Sequence, residues 1–62
     1  MNYKCKNENL KIKNLATGFL ERMPMNVVAK FVKFSRDKAI ISIGKDKYIL
    51  DRFMFEQWFE KV

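Results

Sequence analysis

The sequence predicts a small α+β domain in which two helices precede a β-hairpin and a third helix closes the core. Three observations support this order. Apolar residues recur at helical spacing over residues 14–23 and again over residues 25–34. Residues 39–50 contain two short β-branched segments around a glycine. Helical spacing then returns over residues 51–62.

The first predicted helix begins at Asn14, a residue type that caps helices well, and ends before Pro24. Its apolar stripe consists of Leu15, Ala16, Phe19, Leu20 and Met23. Ahead of it, residues 10–13 (LKIK) alternate between apolar side chains and lysine, which predicts a short strand. Residues 1–9 are polar and rich in lysine, so we expect a flexible basic arm there and one folded domain over residues 10–62.

The second predicted helix, residues 25–34, has an apolar back and a basic front. On a helical wheel most of its valines and phenylalanines gather on one side, and its polar and basic residues share the other. A strand would put Lys30 on the same face as Val28 and Val32, which argues against a half-buried strand. The pattern leaves a second fold open, a three-stranded meander over residues 26–50 without the basic helix.

The predicted hairpin pairs residues 39–43 with residues 48–50 across a basic loop at residues 44–47. Asp51 is a favourable N-cap for the last helix. Two helices joined by a tight turn, then a hairpin and a closing helix, describe a small winged helix-turn-helix. The hairpin would be its wing, and the last helix would close the core from behind.

Composition bounds the function. A chain of 62 residues forms one small core and has almost no room for an enclosed active site. It has no histidine, one cysteine, no glycine-rich phosphate loop and no acidic cluster with metal-ligand spacing. We therefore expect neither catalysis nor a cofactor or metal. No apolar run reaches the roughly 20 residues of a membrane span, and a lone cysteine forms no internal disulfide, so we expect a cytoplasmic protein without membrane contact.

The net charge of +6 favours a polyanionic partner, and the predicted second helix favours double-stranded DNA. Asn26 and Lys30 are the predicted base contacts, because asparagine pairs with adenine and lysine donates to guanine in the major groove. The predicted phosphate contacts are Lys33, Arg36, Lys45, Lys47 and Arg52. The alternative for each lysine is a solvated surface, and the alternative for Asn26 is a helix cap.

The last predicted helix also presents a possible protein contact. Phe53 falls on the side away from the apolar stripe, and an exposed ring is typical of a partner contact. Its neighbours on that side are Glu56, Gln57 and Glu60. The expected partner is a site-specific recombinase or a further copy of the chain on DNA.

Residues 43–60 (IGKDKYILDRFMFEQWFE) resemble the C-terminal half of excisionase-type and MerR-type small DNA-binding domains. The residues that carry the resemblance are Ile43-Gly44-Lys45, Leu50-Asp51-Arg52, Phe55 and Trp58-Phe59. Residues 25–40 are similar to the recognition helix of that family and the link into its wing. Residues 10–16 look like the opening before its first helix.

The resemblance implies a winged helix-turn-helix protein of a phage or mobile element. Such a protein binds and bends DNA at specific sites and directs a site-specific recombinase toward excision. Two alternatives stay open. One is a small phage-type interaction protein that inhibits a host enzyme, and the other is a small transcriptional repressor.

Overall fold

The computed structural model describes all 62 residues and contains one seven-stranded antiparallel sheet and one short helix. The helix α1 covers Arg52–Trp58. The strands are β1 (Asn2–Cys5), β2 (Lys11–Asn14), β3 (Leu20–Arg22), β4 (Val28–Ser35), β5 (Lys38–Ile43), β6 (Asp46–Asp51) and β7 (Phe59–Lys61). Their order across the sheet is β3-β2-β6-β5-β4-β1-β7. The helix is not long and apolar enough to cross a membrane.

Alternate residues of the strands point to one face of the sheet, where they form the hydrophobic core. Ile12 and Ile41 are almost completely buried on this face. Helix α1 packs against it through Phe55, whose ring centroid lies 4.9 Å from that of Tyr3 and 5.6 Å from that of Phe31. We call this the inner face and the opposite one the outer face.

The predicted helix over residues 25–34 is wrong, because most of that segment is strand β4. The meander that the pattern left open is present instead as β4, β5 and β6. Ala29 and Phe31 of β4 point to the inner face, whereas Val28 and Lys30 point to the outer face, where Val28 is 49% exposed. The helical interpretation assumed that the valines belong to the core. In the structure Ala29 and the ring of Phe31 are the residues of this segment that contribute to the core.

The predicted helix over residues 15–23 is also wrong. Asn14 Oδ1 does accept hydrogen bonds from the backbone N–H groups of Ala16 and Thr17, at 2.8 and 3.3 Å, as a helix cap would. The chain then turns at Gly18, whose φ of 78° lies outside the right-handed helical region. It continues as the edge strand β3.

The remaining elements follow the prediction more closely. The strand near residues 10–13 and the hairpin are confirmed as β2 and β5–β6. The last helix is present as α1, but it ends at Trp58, so its predicted continuation to residue 62 is wrong: Phe59–Lys61 forms β7. Residues 2–5, predicted as part of a flexible arm, form β1 between β4 and β7. Because the two-helix unit is absent, the fold is not a winged helix-turn-helix. Strand β5 of the predicted wing is the middle strand of the sheet.

Candidate functional site

Two rows of side chains cross neighbouring strands on the outer face. Each row follows from the pairing register, because residues directly opposite on paired strands point to the same face. The first row is Leu20, Lys13, Ile49, Ile40 and Lys33. The second row is Lys47, Ser42, Lys30 and Asn2. We call the lysines of these rows the basic face: Lys13, Lys30, Lys33 and Lys47.

A β-bulge in β4 brings Lys33 to the same face as Lys30. Residues three positions apart on a regular strand point to opposite faces. The pairing register shifts between Phe31 and Lys33, so the bulge absorbs Val32 and Lys33 stands opposite Ile40. The bulge therefore adds a second lysine of the same strand to the basic face.

All the lysines of the basic face are exposed, and none forms an ion pair. The ion pairs of the fold join other residues, Lys38 with Asp51 and Arg52 with Glu56. The hydrogen bond that Lys38 donates to Asp51 raises the pKa of that lysine. The basic face therefore keeps its positive charge free to attract an anionic partner.

The spacing of these lysines suits an extended anionic ligand. Neighbouring strands lie about 4.8 Å apart, so Lys30 and Lys47, two strands apart, have backbones about 10 Å from each other. Lys13 and Lys33 are three strands apart, or about 14 Å. These separations are similar to the roughly 12 Å width of the major groove of DNA, which phosphates line on both sides.

The predicted DNA contacts separate into two groups. Lys30, Lys33 and Lys47 meet on the basic face, and Lys45 lies beside them in the turn between β5 and β6. The other predicted contacts lie elsewhere: Asn26, Arg36 and Arg52.

Asn26 and Arg36 are turn residues with φ values of 72° and 58°. The backbone N–H of Asn26 donates to the carbonyl of Cys5 at 2.7 Å. The guanidinium of Arg52 lies 4.0 Å from the centre of the Phe34 ring and 3.6 Å from Glu56. Asn26 and Arg36 do not lie on a base-reading helix, because the predicted second helix is absent. Arg52 begins α1.

Three of the four predicted protein-contact residues share one face of α1, and the fourth lies outside the helix. Phe53 is 73% exposed near the start of α1, and Gln57 is exposed later in the same helix. Glu56 pairs with Arg52. Glu60 lies in β7, opposite Lys4, because α1 ends at Trp58. The protein contact stays a prediction for Phe53, Glu56 and Gln57, which are exposed on α1.

Sequence reasoning missed Lys13 as a member of the site. The alternation of residues 10–13 already puts Lys11 and Lys13 on one side of a strand. Its partner strand was not evident, because the pairing of β2 with β6 joins residues far apart in the chain: Lys13 with Ile49, 36 positions on, and Asn14 with Tyr48, 34 positions on. The pairing of β2 with β6 is what places Lys13 on the outer face in the row that ends at Lys33.

An exposed apolar tip borders the basic face, and we define it as Leu15, Phe19 and Leu20. Their side chains are 46%, 73% and 67% exposed. Leu20 stands directly opposite Lys13. The backbone N–H of Leu15 donates to the carbonyl of Lys47 at 2.9 Å. These residues were predicted to be the buried stripe of a helix, and the structure exposes them instead.

A buried polar cluster anchors the tip. The Nδ2 group of Asn14 donates to Glu21 Oε2 at 2.9 Å, and the Tyr48 hydroxyl donates to Glu21 Oε1 at 2.8 Å. Asn14 is 3% exposed. The hydrogen bond to Glu21 raises the pKa of Tyr48, and burial and the charge of Glu21 act in the same direction. The cluster joins β3 to β2 and β6.

Other chemistry has little support. No group of three histidine, cysteine, aspartate or glutamate side chains is arranged to hold a metal ion. The pocket of the fold is an open depression of about 440 Å³, lined by Glu8, Arg22, Pro24 and Met25.

Comparison with models of protein families, with curated proteins and with solved structures finds no match to this chain.

Proposed function

We propose that this protein binds double-stranded DNA through the basic face, whose lysines contact the phosphate backbone. The observation that carries the proposal is the convergence of Lys13, Lys30, Lys33 and Lys47 from three strands onto one face without an ion-pair partner. Neutralising phosphates releases condensed counterions, which favours association at low salt.

The distribution of acids supports the same partner. On the outer face, Asp51 is neutralised by Lys38, and Glu60 lies on the edge strand β7 opposite Lys4. Glu21 points to the inner face, where it accepts the hydrogen bond of Tyr48. A surface that merely keeps a protein in solution mixes both signs of charge. Neither of the two rows that contain the lysines of the basic face includes an acid.

The mode of binding differs from the one that the helical pattern predicts. Strands as well as helices contact DNA in known binding motifs, so a basic sheet face can contact the backbone of a duplex. Asn26 is not part of this face, and we propose that phosphate contacts supply most of the affinity with little preference among base sequences.

The recombination role implied by the excisionase resemblance would act through this same DNA binding. It would require a preference for the flanks of a mobile element, either by this protein or by a recombinase partner. The same resemblance implies that the protein acts in the cytoplasm of a bacterial or phage-infected cell.

Fluorescence anisotropy of a labelled random duplex tests the proposal by measuring affinity at several salt concentrations. The useful range is about 50 to 200 mM salt, because affinity that depends on phosphate contacts falls steeply there. Lys30→Ala and Lys47→Ala should each weaken binding and reduce the slope of log affinity against log salt by about 1. Lys61→Ala is the matched control, because it removes the same charge from β7. Lys61 stands opposite Tyr3, which points to the inner face.

Absence of wild-type binding at 50 mM salt, about the low end of such titrations, would refute DNA binding and favour the protein-interaction alternative. Equal losses for all three variants would show that only net charge matters and would refute the assigned face. A duplex from the flanks of the encoding element, run in parallel, tests the recombination role. Equal affinity for flank and random DNA would argue against sequence recognition by this chain.

A further inference from the structure

The edge strand β3 has backbone hydrogen-bonding groups that point away from the sheet. It pairs with β2 alone. In an antiparallel pair, alternate residues bond to the partner strand and the others point away from it. The N–H of Met23 donates to the carbonyl of Leu10, so the N–H and C=O groups of Leu20 and Arg22 face the open edge. No backbone hydrogen bond outside the strand ladder reaches either residue.

The apolar tip lies at this open edge and covers both of its faces. Leu20 stands opposite Lys13 and points to the outer face, where it is 67% exposed. Phe19 pairs with the buried Asn14, points the other way and is 73% exposed. A strand added beside β3 would therefore bury an apolar side chain on each face. An edge that is both unpaired and apolar is a template for a further strand.

We propose that β3 binds an extended acidic peptide segment of another protein, which joins the sheet as an additional antiparallel strand. This inference does not depend on the proposed DNA binding. The main chain of Leu20 and Arg22 would supply the hydrogen bonds that hold the peptide, and the side chains along the edge would supply its specificity. The antiparallel direction follows the sheet, in which every strand pair is antiparallel.

The charges beside the edge favour an acidic segment. Arg22 stands opposite Lys11, and Leu20 stands opposite Lys13, so the outer side of the edge carries three bases. None of them forms an ion pair. Arg22 uses Nε to donate to the carbonyl of Glu8 at 3.2 Å, which leaves its terminal nitrogens for a carboxylate. An opposite charge directly across a strand pair is stabilising.

The same charges disfavour a second copy of this chain at the edge. Two copies paired through β3 would bring the three bases of each onto one surface, and like charges across a strand pair are destabilising. The open depression of about 440 Å³ continues the edge beyond Arg22, and Pro24 and Met25 line it together with Glu8. It leaves space beside the start of an antiparallel peptide.

The register along β3 specifies a probe peptide. An acid should stand opposite Arg22 and an apolar β-branched residue opposite Leu20, with one residue between them opposite Glu21. An aromatic residue should follow beside Phe19. The probe is therefore a peptide with the core Glu-Thr-Val-Tyr, flanked by glycine and serine, which we call the glutamate peptide.

Amide hydrogen exchange of the full chain, followed by NMR, shows whether the glutamate peptide adds as a strand. The peptide should slow exchange at the N–H groups of Leu20 and Arg22, which are open in the free protein. Methylation of the peptide nitrogen at valine or glutamate should weaken binding by about tenfold, because each methyl group removes a hydrogen bond to β3. Methylation at threonine is the control, since that nitrogen faces away from β3.

A charge exchange tests the acidic specificity. Arg22→Glu should weaken binding of the glutamate peptide by about tenfold, since an attraction becomes a repulsion. A peptide with lysine in place of that glutamate should bind this variant better than it binds the wild type, which also shows that the variant is folded. Lys61→Glu is the control, because it makes the same change of charge on the other edge strand, β7.

Three outcomes would overturn the proposal. One is failure of the glutamate peptide to bind at millimolar concentration. Another is binding that leaves exchange at Leu20 and Arg22 unchanged, or that all three methylated peptides retain. The last is protection of these two amides by raising the protein concentration alone, which would assign the edge to a second copy. The samples contain no DNA, so each outcome is separate from the test of the proposed function.

Discussion

The Tyr48 hydroxyl donates a hydrogen bond of 2.8 Å to Glu21 Oε1, and this bond joins strand β6 to the edge strand β3 across β2. Strand β3 has only three residues and pairs with β2 alone. Side-chain contacts to Glu21 therefore supply part of what holds the edge in place. Leu20 of the apolar tip belongs to the same strand, so the stability of this cluster bears on the position of the tip.

Replacing Tyr48 by phenylalanine should destabilise the fold. The change keeps the ring in the core and removes the donor to Glu21, leaving that carboxylate with the Asn14 bond alone. A hydrogen bond to a charged group contributes about 2 kcal/mol, so the free energy of unfolding should fall by about that amount. Urea unfolding followed by far-ultraviolet circular dichroism measures it.

Tyr3→Phe provides the matched control. The only partner of the Tyr3 hydroxyl is the sulfur of Met1 at 3.5 Å, on the exposed side of the molecule. Its loss should change stability by less than about 0.5 kcal/mol. Equal losses for the two variants would contradict the structural role given to the Tyr48–Glu21 bond.

Stability should decline at high pH in part through Tyr48. The hydrogen bond to Glu21 raises the pKa of its hydroxyl above the ordinary value of 10.0, so the folded state favours the neutral form. The resulting stabilisation is complete below pH 10.0 and is lost as the pH rises through the higher pKa of the folded state.

The test compares urea midpoints of the wild type and Tyr48→Phe at neutral pH and above the ordinary pKa of tyrosine. The difference between them should narrow as the pH rises, because the variant has no Tyr48 hydroxyl to ionise. Lys38 also has a raised pKa and also loses stabilisation in this range, but it contributes equally to both proteins. A difference that is constant across pH would show that Tyr48 is not linked to unfolding.

Asn26→Gly should leave both the fold and DNA affinity intact. Asn26 has a φ of 72°, a conformation that glycine adopts without strain. The residue lies in a turn and outside the basic face, so affinity should stay within about twofold of the wild type. Asn26→Ala should instead lower stability by about 1–2 kcal/mol, since a Cβ is disfavoured in this conformation.

Anisotropy and urea unfolding on the same preparations measure both effects, with Lys30→Ala as the positive control for lost affinity. A large loss of affinity in a well-folded Asn26→Gly protein would restore Asn26 as a base contact and contradict the assignment of the site.

Part of this fold could be read from local sequence. The hairpin of β5 and β6 has β-branched residues on both sides of Gly44, whose φ of 62° suits a tight turn. The last helix was evident from the helical spacing of Met54, Phe55 and Trp58, although this spacing did not reveal that β7 begins at Phe59. These elements depend on contacts between residues close in the chain.

The segment over residues 25–34 could not be assigned from its pattern. Val28, Phe31 and Val32 fit one side of a helix, and Ala29 and Phe31 fit one face of a strand equally well. Pairing with β1 and β5, on either side of β4, decides between them. Strand β1 is distant from β4 in the sequence, and the spacing of hydrophobic residues does not reveal that the two strands pair.

By itself, the sequence determined a single small domain with a strong positive charge, a central hairpin and a helix before its end. Tertiary structure decided which lysines share a face, because strand register and the bulge after Phe31 bring Lys13, Lys30, Lys33 and Lys47 together. It also decided that Phe19 and Leu20 lie in solvent rather than in the core. The physical reason is that sheet pairing joins residues far apart in the chain, whereas turns and helices are specified by near neighbours.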